Sequence, residues 1–285
     1  LARHLEAQGH EVVGCADDER EVDVTDRAAL ARWLRESAPD AVVHLAAQSS
    51  VARSFDDPAG CFRVNYLGAL HLLEAVAASH AHARVVLVGS ADQYGGRPPG
   101  HRPLRETDAL APRSPYARTK AAAELLGRRA IAGGLRVFAV RAFNHTGPGQ
   151  APHFAAPSFA RQLAEIAAGR RAPVLRVGNL DSVRDFLHVE DVVRAYALLL
   201  RGDAAPGVYN VTSEAPCRIG DLLDGLVREA GVRVEIETDP ALVRPTDQLT
   251  GDARRLRAAT GWRPTRDLAA IQRDLVADWR ERIAA

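Results

Sequence analysis

Short apolar runs alternate with longer stretches in which apolar residues return every three or four positions. Glu11-Val12-Val13-Gly14, Val22-Asp23-Val24 and residues 40–47, 84–89 and 135–141 have strand length and little internal polarity. Between them, Arg27–Ser37, residues 63–79 and residues 114–132 show helical periodicity, with Val64, Leu67, Leu70, Leu73 and Val76 on one stripe. Residues 1–9 read as the end of an earlier helix, stopped at Gly9. Strands that are apolar on both faces and separated by helices predict an α/β fold with a parallel, doubly wound sheet. Ligands of such sheets sit beyond the carboxyl ends of the strands. Small or polar residues stand there: Ala46-Ala47-Gln48-Ser49, Ser90 and Asn144-His145.

Past residue 145 the texture changes. Gly147-Pro148-Gly149 and Pro152 mark a loop. Helices are expected at 157–168, 189–200, 219–230, 252–260 and 268–284, and strands at 174–178, 208–211 and 232–237. Two parts follow: residues 1–145 as a dinucleotide-binding domain, and residues 146–285 as a smaller mixed α/β substrate lobe interleaved with it.

Composition narrows the function classes. A chain of 285 residues can bury a sizeable core. A net charge of +1 with scattered arginines gives no footprint for nucleic acid. No apolar run reaches the roughly 18 residues of a membrane span. Cys15, Cys61 and Cys217 are far apart and without metal-ligand spacing, so no metal is expected and a reduced, cytoplasmic setting is the simple reading.

One position concentrates chemistry. Lys120 is the only lysine among 37 basic residues, and it lies four residues after Tyr116. Of the five tyrosines, only Tyr116 has a basic residue at that spacing. On a helix the two share a face. A compact ammonium can favour the phenolate and donate to sugar hydroxyls, which a planar guanidinium does poorly. Tyr116 is therefore expected to exchange a proton as a general acid or base, with Lys120 lowering its pKa.

These residues, taken in order, resemble the extended short-chain dehydrogenase/reductase family that acts on nucleotide sugars. The resemblance rests on Asp23-Val24, His44-Leu45-Ala46-Ala47, Asn65 with Gly68, Ser90 with Tyr94-Gly95, Tyr116 with Lys120, Arg141-Ala142-Phe143-Asn144, Arg184-Asp185-Phe186 and Arg244-Pro245-Thr246-Asp247. It implies that Ser90, Tyr116 and Lys120 are catalytic. It implies cofactor contacts from Asp23, Val24, Leu45, Ala46, Ala47, Asn65, Val88, Tyr116, Lys120 and Phe143. It implies substrate contacts from Gln48, Ser90, Asp92, Asn144, Asn179, Arg184 and Arg244, with arginine forks suited to a diphosphate. His44 reads as a core histidine; His145 and His188 are balanced between substrate contact and packing.

Residues 143–150 and 177–185 resemble the GDP-mannose branch, which contains GDP-mannose 4,6-dehydratases and GDP-4-keto-6-deoxy-mannose reductases. The dehydratases carry a glutamate base two residues after the catalytic Ser/Thr; here that position is Asp92, one methylene shorter. The expected activity is thus NAD(P)H-dependent reduction of a GDP-4-keto-6-deoxyhexose to a GDP-6-deoxyhexose such as GDP-rhamnose. A 4,6-dehydratase with Asp92 as base, and a non-catalytic sugar-nucleotide-binding remnant, are the alternatives. Acidic Asp17 or Asp18 would accept from a ribose 2′-hydroxyl and slightly favours NADH, a preference softened by Arg20. The family resemblance further implies a homodimer joined by a four-helix bundle from residues 63–79 and 114–132.

The glycine-rich turn that opens such dinucleotide-binding sheets does not occur near residue 1, and the chain has no methionine. The first strand is expected to be missing from this chain. In a 3-2-1-4-5 order it would lie between residues 11–14 and 41–45, leaving those two strands roughly 9–10 Å apart with no ladder between them. Poor cofactor binding or aggregation of this chain alone is the expected consequence.

Overall fold

The computed structural model describes every residue except Cys15, Asp18, Glu19, Arg244 and Ala285; of residues 16, 17, 20 and 21 it describes the backbone alone. The chain opens with helix α1 (Ala2–Glu6) and a small antiparallel hairpin, β1 (Ala16–Asp17) with β2 (Arg20–Glu21). Helix α2 (Arg27–Ser37) follows, capped by Asp26, whose carboxylate accepts from the amides of Ala28 and Ala29. Strand β3 (Ala41–His44) leads through α3 (Val51–Asp56), α4 (Pro58–Phe62) and a π-helical turn, Arg63–Leu67, into α5 (Gly68–Ser79). Strand β4 (Arg84–Val88), helix α6 (Pro115–Ala132) and strand β5 (Arg136–Ala142) complete the first half.

The second half runs β6 (Asn144–Thr146), α7 (Ala155–Ala167), β7 (Val174–Val177), β8 (Val183–His188), α8 (Val189–Arg201), β9 (Gly207–Val211), β10 (Pro216–Arg218), α9 (Ile219–Ala230), β11 (Glu235–Thr238), β12 (Gln248–Leu249), α10 (Arg254–Thr260) and α11 (Leu268–Ala284).

The main sheet is parallel, in the order β3-β4-β5-β9. Its side chains alternate between two cores. Val85, Leu87 and Val137 point into one with Leu30, Leu34, Leu72 and Val76 of α2 and α5. Val86, Phe138 and Val140 point into the other with Val192, Tyr196 and Leu199 of α8. This two-sided burial is why the strands read as unbroken apolar runs. A third core joins α7, α9 and α11 through Leu163, Leu223, Leu226, Ile271 and Leu275. Each fully buried leucine contributes about 1.5–3 kcal/mol of transfer free energy.

Four expectations need correction. Residues 11–14 form no strand, and no ladder joins them to β3, whose hydrogen-bonded neighbour among the described residues is β4. That part agrees with the expected break between the two segments. Residues 22–24 are not a strand either: Asp23 accepts from the amide of Thr25 at 2.8 Å, which bends the chain into a turn. Residues 63–79 are not one regular helix, because the first turn is π-helical. Strand β9, expected in the second lobe, lies in the main sheet beside β5.

Candidate active site

The site is built where β4 ends and α6 begins. Ser90 follows β4 in extended conformation and caps the 3-10 turn Ala91–Tyr94: its hydroxyl accepts from the Asp92 amide at 3.1 Å. The side chain of Gln93 returns to accept from the Ser90 amide at 2.9 Å, completing a capping box. The turn is pinned by Tyr94, whose hydroxyl donates to Asn210 Oδ1 at 2.7 Å.

Ser114 caps α6 by accepting from the Ala117 amide at 3.1 Å, and Pro115 occupies the first helical position. Tyr116 and Lys120 then lie one turn apart, as the sequence requires. Tyr116 is half-buried, and Ser90 lies close enough to act on its phenol. Burial pushes its phenol up to about 12, the Asp92 charge adds to this, and the Ser90 hydroxyl opposes it. The expected lowering by Lys120 is not what the structure shows. Lys120 is buried and donates from Nζ to the carbonyl of Val88 at 2.8 Å. Burial brings its ammonium down to about 8. Desolvation is the largest cause of the shift in both groups. His44, buried on β3, is brought down to about 4 by burial, with Lys120 adding. It is neutral at physiological pH.

Beyond β3, Leu45 is 54% exposed, and Ala46, Ala47 and Gln48 are half-buried. Asn65, on the π-helical turn, clamps this loop. It accepts from the Gln48 amide at 2.8 Å, and its own Nδ2 lies 3.1 Å from the Gln48 carbonyl and 3.0 Å from Thr119 Oγ1 on α6. Three residues later the same stretch meets Val24: a Cβ on Gly68 would lie 2.8 Å from Val24 Cγ2. Asp23 is held below the usual carboxylate range by hydrogen bonds from Thr25.

The sugar-facing candidates divide. Asp92 lies close enough to couple with both Tyr116 and Arg184; burial raises its carboxyl above the usual range, against the pull of Arg184. Arg184 donates to Asp247 Oδ1 at 2.6 Å. Asn179 donates to Thr246 Oγ1 at 2.7 Å, which ties two of the candidate segments together. Asn144 is exposed on β6. Phe143 is buried against Tyr94, Leu104 and Leu249, so its ring belongs to a core cluster. His145 bonds to the Phe143 carbonyl through Nδ1, and His188 accepts from the Glu190 amide, so both serve the local backbone. Arg244, Asp18 and the side chain of Asp17 lie outside the described residues.

Sequence reasoning missed Gln93, Glu124 and Asp247. The Ser90-Ala91-Asp92-Gln93 capping-box pattern was a signal for the first, and the i, i+4 spacing from Lys120 for the second. No local signal marked Asp247 as the partner of Arg184.

Polar groups in the site are left over. Both side-chain amide atoms of Gln48 and Nε2 of His44 are buried without hydrogen-bond partners. An ammonium has three donors, of which Lys120 gives one to Val88. Unmet donors and acceptors at the carboxyl ends of β3 and β4 fit a nicotinamide nucleotide with its ribose hydroxyls and carboxamide. Among the described residues no cluster of side chains could hold a metal ion, and no helix is long and apolar enough to cross a membrane.

Comparison with known proteins agrees with this geometry. GDP-6-deoxy-D-mannose reductase from Pseudomonas aeruginosa is 41% identical over 86% of this chain and 82% of its own length. GDP-mannose 4,6 dehydratase 1 from Arabidopsis thaliana is 34% identical over 85% of this chain and 68% of its own. The solved structure of RMD from Pseudomonas aeruginosa complexed with NADPH superposes with a TM-score of 0.88 at 37% identity, covering 98% of this chain and 95% of that one. UDP-glucose 4-epimerase from Thermus thermophilus in complex with NAD gives 0.84 at 29% identity, covering 98% and 94%. The family model described as GDP-mannose 4,6 dehydratase matches residues 4–275, a span that includes every candidate residue named above, and the chain belongs to that family.

Proposed function

We propose that this protein is an NAD(P)H-dependent reductase of the 4-keto group of a GDP-4-keto-6-deoxyhexose, giving a GDP-6-deoxyhexose such as GDP-rhamnose. The observation that carries this reading is the meeting of Ser90, Tyr116 and Lys120 where β4 ends and α6 begins, with Lys120 Nζ held by the Val88 carbonyl at 2.8 Å. A phenol pushed up to about 12 holds its proton at neutrality and is suited to give it to a carbonyl oxygen that is gaining negative charge. The reductase at 41% identity supports the same direction.

The bound nicotinamide supplies hydride to carbon 4. The chain does the rest. Ser90 and Tyr116 donate to the carbonyl oxygen, and Tyr116 passes its proton to it. Lys120, charged below about pH 8, faces the phenolate left behind and holds ribose hydroxyls. Asp23, Val24, Leu45, Ala46, Ala47, Asn65 and Val88 shape the cofactor side. Gln48, Asp92, Asn144, Asn179, Arg184 and Arg244 receive the sugar nucleotide. Its diphosphate competes with Asp247 for the Arg184 fork. The cofactor lies on residues 1–145, and the sugar nucleotide lies between these and residues 146–285.

Incubation with GDP-4-keto-6-deoxy-mannose and NADH or NADPH tests the reading. Oxidation of the cofactor with formation of a 6-deoxyhexose is expected, and KM for the two cofactors sets the preference. The raised carboxyl of Asp92 favours one second reading, a 4,6-dehydratase with Asp92 as base. A 4-keto-6-deoxy product from GDP-mannose and NAD(P) would establish it in place of reduction.

The working unit in this reading is a cytoplasmic homodimer. Phe55, Phe62 and Leu125 are 60%, 44% and 64% exposed on α3, α4 and α6, which suits a second copy covering these helices. A monomeric mass by light scattering would refute the dimer.

A further inference from the structure

We infer that Gln93 is a positioning residue for Ser90, and that it works by tying the serine loop to the helix that carries Tyr116 and Lys120. This rests on the reductase reading above. The chain of contacts is continuous and buried. Gln93 Oε1 accepts from the Ser90 amide at 2.9 Å, and Gln93 Nε2 donates to Glu124 Oε2 at 2.8 Å. Glu124 stands four residues after Lys120 and eight after Tyr116, on the same face of α6. Arg141 on β5 fixes it with two prongs, Nε to Oε2 and Nη2 to Oε1, both 2.7 Å. Gln93 has no exposed surface, and Glu124 is 4% exposed.

The side chain of Gln93 reaches its place through a gap that glycine leaves. A Cβ on Gly89 would stand 2.5 Å from Gln93 Oε1 and 2.7 Å from the Val140 carbonyl. The serine hydroxyl and the phenol that donate to one carbonyl oxygen thus come from different elements, a loop after β4 and a helix. Their separation is set by one amide whose two ends face each element. A shift of about 1 Å in such a pair costs roughly a hundredfold in rate.

Removing Glu124 would strand the Arg141 charge, so the test uses Gln93. Gln93→Leu is expected to lower kcat on GDP-4-keto-6-deoxy-mannose about ten- to hundredfold, with KM for both substrates within about twofold. The decisive measurement is a double-mutant cycle. In a Ser90→Ala background, Gln93→Leu should change kcat less than about twofold, because its effect passes through the serine. The inference is overturned if Gln93→Leu keeps kcat within twofold of wild type, or if the full loss recurs without Ser90. If thermal melting shows that Gln93→Leu does not fold, Gln93→Met carries the same cycle; failure of both to fold overturns the inference by making Gln93 a determinant of the fold. An inactive wild type would count against the reductase reading, whereas an active wild type with an indifferent Gln93 would count against this inference alone.

Discussion

Lys120 Nζ donates to the main-chain oxygen of Val88, 2.8 Å away. The only ammonium side chain in the protein is thus held at the end of β4. Burial brings it down to about 8. Because the chain has a single lysine, selective ¹⁵N labelling gives one Nζ resonance. Its titration midpoint is expected near 8 in the folded protein; a midpoint near 10.5 would contradict the burial. A base with a lowered pKa is charged only below that value. The rate of reduction, as kcat/KM, should therefore be level at lower pH and fall as pH rises through about 8.

Tyr116→Phe removes the proton donor while keeping the ring. The loss in kcat should be about 10²–10⁴-fold, the usual contribution of general acid catalysis. Ser90→Ala should cost about 10²–10³-fold, the usual effect of losing one donor to a developing oxyanion. Steady-state assay of both variants checks this, with cofactor binding by fluorescence retained.

Asp92 separates the two chemistries. As a sugar contact in a reductase, it is not asked to move a proton, so Asp92→Asn should keep kcat within about tenfold and act mainly on KM. A dehydratase that used it as base would lose about 10²–10⁴-fold in kcat. Measuring kcat and KM separately for this one variant decides between them.

Glu124 and Arg141 form a buried ion pair, with side chains 4% and 2% exposed. Burial pushes the Glu124 carboxyl up, but the Arg141 fork with Arg128 and Gln93 more than offsets this and leaves it below the usual range. Glu124→Ala would leave a guanidinium buried without its partner, a loss of about 3–5 kcal/mol. Urea unfolding measures it; a change under 1 kcal/mol would mean that Arg141 is satisfied without Glu124, for instance by the Glu106 carbonyl to which Nη1 already donates at 3.2 Å.

The fold was legible where a segment declares its own burial. The strands at Arg84–Val88 and Arg136–Ala142 are apolar on both faces because both faces are covered. Helix ends were legible too, since Asp26 and Ser114 carry the caps that stop the orphan amides. Val12 and Val13 misled, because apolar character suits a strand but only a partner makes one. The π-helical turn was hidden: its residues keep the stripe of the helix they precede, and only the clamp from Asn65 to the Gln48 loop marks it. Ser90, Tyr116 and Lys120 were legible as types at a spacing. The charge state of the pair was not, because it depends on desolvation, which a spacing does not encode. Gln93 to Glu124 and Arg184 to Asp247 join residues 31 and 63 apart in the chain, beyond any local pattern.

Strand β9 reaches the main sheet only after the chain has passed through α7, β7, β8 and α8. On the ribosome, β5 therefore waits with one edge bare while some sixty further residues emerge, and a bare edge invites pairing with another chain. Closing so long a loop costs chain entropy that the β5–β9 contact returns only once it forms. The same routing means that no single cut can release a complete main sheet: cleavage anywhere between β5 and β9 takes away the strand that shields it.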